Sequence, residues 1–172
     1  MFTVILFSFI YGYSFYKDID CYRSLVLVND ISREKYIITK LFVLFFISVI
    51  FVFFSLIIHY LIPLFFKVYI DIKGIYFFIS LIFLVNYYGL ISVILVQITD
   101  NIYVCLLPIF IYILINSFIL NADRKIINLF GYFFIIFDET NTIIHSNSYS
   151  ILIILLLIIV NIVIFNKRDL HN

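Results

Sequence analysis

Long runs without a charge dominate this chain, and the charges fall in clusters between them. Residues 1–16, 41–66, 75–98, 102–120 and 151–166 are apolar runs, none containing Asp, Glu, Lys or Arg. Residues 17–40, 67–74, 99–101, 121–125, 138–150 and 167–172 carry the polar groups. Backbone groups in hydrocarbon must pair within their own segment, and the runs lack the polar/apolar alternation of a barrel strand. The pattern therefore predicts five helices that cross a membrane. The stretch 126–137 is apolar but too short for a crossing of about 20 residues, and it reads as a short re-entrant or interfacial helix within an external region, 121–150. The expected fold is an all-α integral membrane protein, one transmembrane domain over residues 1–172.

Composition excludes the alternatives. Of 172 residues, 66% are hydrophobic and 12% charged, where a globular domain is about half apolar and a quarter charged. A soluble fold of this length leaves too much surface in water to hide so much apolar area. Disorder needs low hydrophobicity and high net charge. A net charge of +1 gives no basic footprint for nucleic acid. Cys21 and Cys105 lie far apart with no metal-ligand spacing, so neither a zinc site nor a disulfide framework is expected. Residues 1–16 lack the basic flank and cleavage site of a signal peptide and read as a first, short span.

Five spans place the termini on opposite sides. Residues 17–40, the turn at Asp100 and the C-terminal tail then share a side, which holds seven of the eleven Lys and Arg residues. Positive residues favour the cytoplasm, so the N-terminus is expected outside and the C-terminus inside the cell membrane.

Candidate chemistry is sparse. No HExxH, no GxSxG and no paired intramembrane carboxylates occur, and no cofactor is implied, so this chain is not expected to be an enzyme. His59 is the one ionisable group deep in a run. With no partner in a neighbouring run, it favours a packing role. Asn86, Gln97, Asn116 and Asn161 are polar positions inside runs. Each suits a hydrogen bond between helices, and Asn86, Tyr87, Gln97 and Asn116 could instead line a translocation path. Pro63 and Pro108 are expected to kink their helices.

The stretch 17–40, KDIDCYRSLVLVNDISREKYIITK, is the most informative. It places a short apolar run, 25–28, between charged ends. Asn29 and Asp30 break it, Ser32 suits the N-cap of the next helix, and Glu34 falls in that helix's first turn. Arg33, Tyr36 and Lys40 share a face and suit anchoring at the headgroups. The stretch reads either as an interfacial hairpin or as a docking element for a cytoplasmic subunit.

Taken with the order of segments, these residues resemble the permease subunit of type 2 ABC exporters, the class that includes drug, antimicrobial-peptide and lantibiotic-immunity exporters. The resemblance implies that Asp18 stands for the family's acidic residue and 21–28 for its coupling helix, with Ser32-Arg33 the pair that opens the next span. On that basis Asp18, Tyr22, Arg23, Ser24, Asn29, Asp30, Ser32 and Arg33 would couple the chain to an ATPase. The chain departs from the pattern in having Asp for Glu at position 18, Asn29 where Pro or a small apolar residue is common, and no counterpart of the first of six spans. The resemblance further implies a separate cytoplasmic ABC ATPase, a second permease chain, and a hydrophobic or amphipathic substrate such as a drug, lipid or antimicrobial peptide. The competing expectations are a non-transporting immunity or scaffold protein, and an intramembrane peptidase.

Overall fold

The computed structural model describes residues 2–29, 32–66, 73–119 and 143–167. Among the described residues every regular element is helical. Helix α1 is Phe2–Asn29, α2 is Arg33–Phe66 and α3 is Lys73–Thr99. A 3-10 turn, Ile102–Leu106, leads into α4, Leu107–Ile119, and the last helix, α5, is Ile143–Lys167. The expected short helix at 126–137 lies outside the described residues.

Among the described residues, two segments are long and apolar enough to cross a membrane: Glu34–Leu61 in α2, with mean hydropathy 3.2, and Phe78–Thr99 in α3, with mean hydropathy 2.2. Residues 102–111 and 151–167 form shorter apolar helices. The more hydrophobic of the two long segments is the less enclosed: 22% of its window is buried, against 61% for that of α3. Burial in a water-soluble core would give the opposite order.

Helix α3 is the centre of the bundle, packed on α1, α2, α4 and α5. Contacts set the directions. Lys40 reaches Ser14 while Phe51 meets Phe7, so α2 runs antiparallel to α1. Ser48 meets Asn86 and His59 meets Phe78, so α2 also opposes α3. Tyr36 stacks on Phe165 and Glu34 accepts a hydrogen bond from Asn166, which sets α5 against α2. One end of the bundle therefore gathers the start of α2, the end of α5 and the turn after α3.

Two glycines allow the approach of α1 to its neighbours. A Cβ on Gly12 would stand 2.5 Å from Cβ of Cys105, and one on Gly89 would stand 2.8 Å from Cγ of Tyr11. Small residues let helix backbones close in this way, and van der Waals packing then holds the pair.

Local sequence explains the helix ends. Ser32 caps α2, its Oγ accepting from the backbone N–H of Lys35 at 3.4 Å, and Glu34 lies in the first turn, as expected. After Thr99 the chain turns at Asp100, which adopts φ 54°, a left-handed conformation that Asp tolerates better than most residues. Asn101 is extended, and its Oδ1 accepts from the N–H of Tyr103 at 2.9 Å. The buried Ser92 hydroxyl sits 2.7 Å from the carbonyl of Cys105 and 2.8 Å from that of Tyr88, tying the turn back to α3.

Three local expectations change. The first helix does not stop near residue 16 but continues to Asn29. Of the stretch 17–40, residues 17–29 and 33–40 are helical, so the helix expected at 21–28 is the last part of α1 and not a separate element. Pro108 does not kink a continuous helix. It is the second residue of α4, just after the 3-10 turn, where its missing N–H costs no helical bond. Lys40, expected at the headgroups, instead donates from Nζ to the Ser14 carbonyl at 2.7 Å and lies over the Phe15 ring at 5.0 Å.

Candidate functional site

Asn86 is the hub of the buried polar network. It projects from the middle of α3 and is 2% exposed. Its Oδ1 accepts from the Tyr11 hydroxyl of α1 at 2.5 Å. Its Nδ2 donates to Ser48 Oγ of α2 at 3.0 Å and to the Ile82 carbonyl of its own helix at 2.7 Å. The Ser48 hydroxyl in turn donates to the Phe45 carbonyl at 2.7 Å. With the amide oriented this way, each side-chain donor in the set has an acceptor. A fully paired network in a low-dielectric interior is stiff, because the loss of one member strands another. The cluster thus joins three helices at one level.

This arrangement bears on the expected path residues. Asn86 is buried and fully engaged. Tyr87 is buried, with its ring edge-on to Tyr88 at 5.0 Å. Gln97 is buried at 4% exposure, and among the described residues neither its Oε1 nor its Nε2 has a hydrogen-bond partner. The side chain of Asn116, on α4, lies outside the described residues. Asn86 sits in the hub, and Gln97 lies roughly three turns further along the same face of α3. Asn161 plays the packing part expected of it, its Nδ2 donating to the Leu90 carbonyl across the helix interface at 3.3 Å. His59 packs its ring 5.5 Å from that of Phe78, and no group of metal-ligating side chains occurs among the described residues.

Tyr11 and Ser48 were not singled out from sequence. A serine or tyrosine in an apolar run is too common to mark a site, and only the fold brings them to Asn86. The one usable signal is that Asn86 falls at the middle of its run, where a polar group needs a partner.

Beside the hub lies a cavity of about 370 Å³ between α2 and α5. Tyr11, Leu41, Asn86 and Leu90 form its buried floor, while Ile38, Phe42, Ile151 and Leu155 form exposed rims. The pocket is apolar except where the hub's Tyr11 and Asn86 touch it.

The expected coupling residues lie at the bundle end described above or lead into it. Asp18, Tyr22, Arg23, Ser24 and Asn29 belong to the last part of α1, and Ser32 and Arg33 to the start of α2. Asp30 lies outside the described residues. Of these, only Ser32 has a described side chain, and its role there is the helix cap. No family model, curated protein or solved structure matches the chain.

Proposed function

We propose that this chain is the membrane-spanning permease subunit of an ABC exporter, with five spans, its N-terminus outside and its C-terminus in the cytoplasm. A separate ATPase would dock on residues 18–33 and drive the bundle between two states that differ in their affinity for a hydrophobic or amphipathic substrate. ATP hydrolysis would belong to that partner, and a second permease chain would present the matching docking element.

The observation that carries the reading is the layout of 17–40. Here α1 continues as helix to Asn29, and Ser32 caps a new helix that enters the more apolar of the two long segments. Five of the eleven basic residues lie in this stretch, which leads to the same bundle end as the α5 terminus. A push on such an element would pass directly into α1 and α2, and through Tyr11, Ser48 and Asn86 into α3. The exposed apolar surface of α2 supports the membrane part of the reading, since soluble monomers rarely present so large a contiguous patch.

The test is co-purification with a candidate ABC ATPase, followed by Arg23→Ala and Asp30→Ala. The reading expects stable capture, stimulation of ATP hydrolysis by the permease, and loss of stimulation in the variants. Unchanged capture and unchanged stimulation in both variants would remove the docking assignment.

A further inference from the structure

Helices α2 and α5 are clasped at the charged end of the bundle. There the Glu34 carboxylate accepts from Nδ2 of Asn166 at 3.1 Å, and the Tyr36 ring stacks on Phe165 at 6.3 Å between centroids. From the clasp toward the middle of the bundle the cavity parts their facing sides as a groove, with Phe42 and Phe45 on one wall and Ile154 and Ile158 on the other. Gln97 of α3 lies at the depth of the clasp. Helices α3 and α5 both oppose α2 and so run parallel, and the Leu90 carbonyl is level with Asn161, from which it accepts. Gln97 stands seven residues past Leu90, about 10 Å further along the same helix face. Phe165 and Asn166 stand four and five residues past Asn161, about 6–8 Å further along α5. The face is the one that floors the groove, with Phe83 and Leu90 lining it and Gln97 next at the same heptad spacing.

The Gln97 amide is buried, and both its polar atoms lack a partner among the described residues. Oδ1 of Asn166, whose amide supplies the donor of the clasp, also lacks one among them. Taking an amide out of water without a hydrogen bond destabilises the state that does so, and native interiors pair nearly all such groups. A form in which the end of α5 stands away from α2 relieves both residues, because water then reaches their amides. We propose that the clasp is a gate: the last turn of α5, beyond its tie to α3 at Asn161, swings away from α2, opens the end of the groove to water and hydrates Gln97. The closed form is held by one solvent-exposed hydrogen bond and one ring stack and is opposed by the buried amides, so it opens locally without unfolding the hub. In the proposed orientation the gate gives the groove an opening on the cytoplasmic side.

The test reads the access of water to position 97. In a Cys21→Ser, Cys105→Ala background, Gln97→Cys is compared with Val93→Cys, a fully buried position one turn nearer the hub on the same helix. The full chain is placed in lipid nanodiscs, and the rate of modification by a small cationic methanethiosulfonate is measured. Slow modification at position 97 is expected, several-fold faster when Glu34→Ala or Asn166→Ala removes the clasp, with position 93 unmodified throughout. A rate at position 97 that ignores both clasp variants, or equal rates at 93 and 97, overturns the gate. A second measurement leaves Gln97 in place. Glu34→Cys and Asn166→Cys in the same background are joined by a short bis-methanethiosulfonate, and hydrogen–deuterium exchange is followed over residues 94–99. Exchange should slow several-fold in the joined protein and recover on reduction; exchange indifferent to the joining also overturns the gate. The proposal rests on the membrane-spanning part of the reading above and not on its ATPase. A chain that fails to float with vesicles removes that reading, whereas one that floats but shows no effect of the clasp removes only the gate.

Discussion

Replacing Asn86 with Ala tests whether the buried hub holds the three helices. The change removes two bonds between helices, to Tyr11 at 2.5 Å and to Ser48 at 3.0 Å, and one bond to Ile82 within α3. Side-chain hydrogen bonds between membrane helices average about 0.6 kcal/mol and reach about 1.7, so the two together contribute roughly 1–3 kcal/mol. The Tyr11 hydroxyl, on a residue 1% exposed, also loses its acceptor, and an unsatisfied buried donor costs about 1–3 kcal/mol. The expected loss is about 2–5 kcal/mol. Tyr11→Phe should cost less, about 1 kcal/mol, because Ser48 Oγ already lies 3.2 Å from Asn86 Oδ1 and can rotate its proton into the place Tyr11 leaves. Equilibrium unfolding in mixed micelles, followed by helical circular dichroism, measures both variants and their double mutant. A loss below about 0.5 kcal/mol for Asn86→Ala, or equal losses for the two single changes, would refute the hub.

Gly12→Ala should destabilise by about 1–3 kcal/mol, since the added methyl meets Cβ of Cys105 at 2.5 Å, and the same unfolding assay reads it. Ser32→Ala should cost about 0.5–1 kcal/mol by loss of the cap, at the low end because the bond is long at 3.4 Å. In a Cys21→Ser background, the fully buried Cys105 should react with a maleimide only as the protein unfolds, and rapid labelling of the folded protein would contradict the packing of the turn on α1 and α3. A cysteine at Ser24 should resist an impermeant reagent added outside cells and react once the membrane is opened; ready labelling from outside would reverse the proposed orientation.

Much of the helical layout was legible in the sequence, because hydrocarbon-scale apolar runs and their breaks are strong signals. The break around 29–33, the Ser32 cap and the turn at 99–101 all rest on local chemistry visible in a few residues. The continuation of α1 through 17–29 was not legible. Charges there suggested a loop, yet Lys, Arg, Asp and Ser on a helix extending past an apolar run violate no local rule. Pro108 was read as a kink because apolar residues flank it on both sides, and the 3-10 turn that precedes it depends on Ser92 reaching back to Cys105. The hub could be half seen: Asn86 stood out as an amide within an apolar run, whereas Tyr11 and Ser48 join it only through the crossing of α1 and α2 on α3. The groove depends on the spacing of α2 and α5, residues more than 100 positions apart, and no local pattern encodes that distance.

The most direct test of the permease assignment is where the ATPase touches. A photo-reactive residue at position 24, in the last part of α1, is compared with one at position 59, an exposed site toward the other end of the bundle, in the chain co-expressed with a candidate ABC ATPase. The account predicts a cross-link from position 24 and none from position 59. Cross-linking from neither, or equally from both, would contradict it.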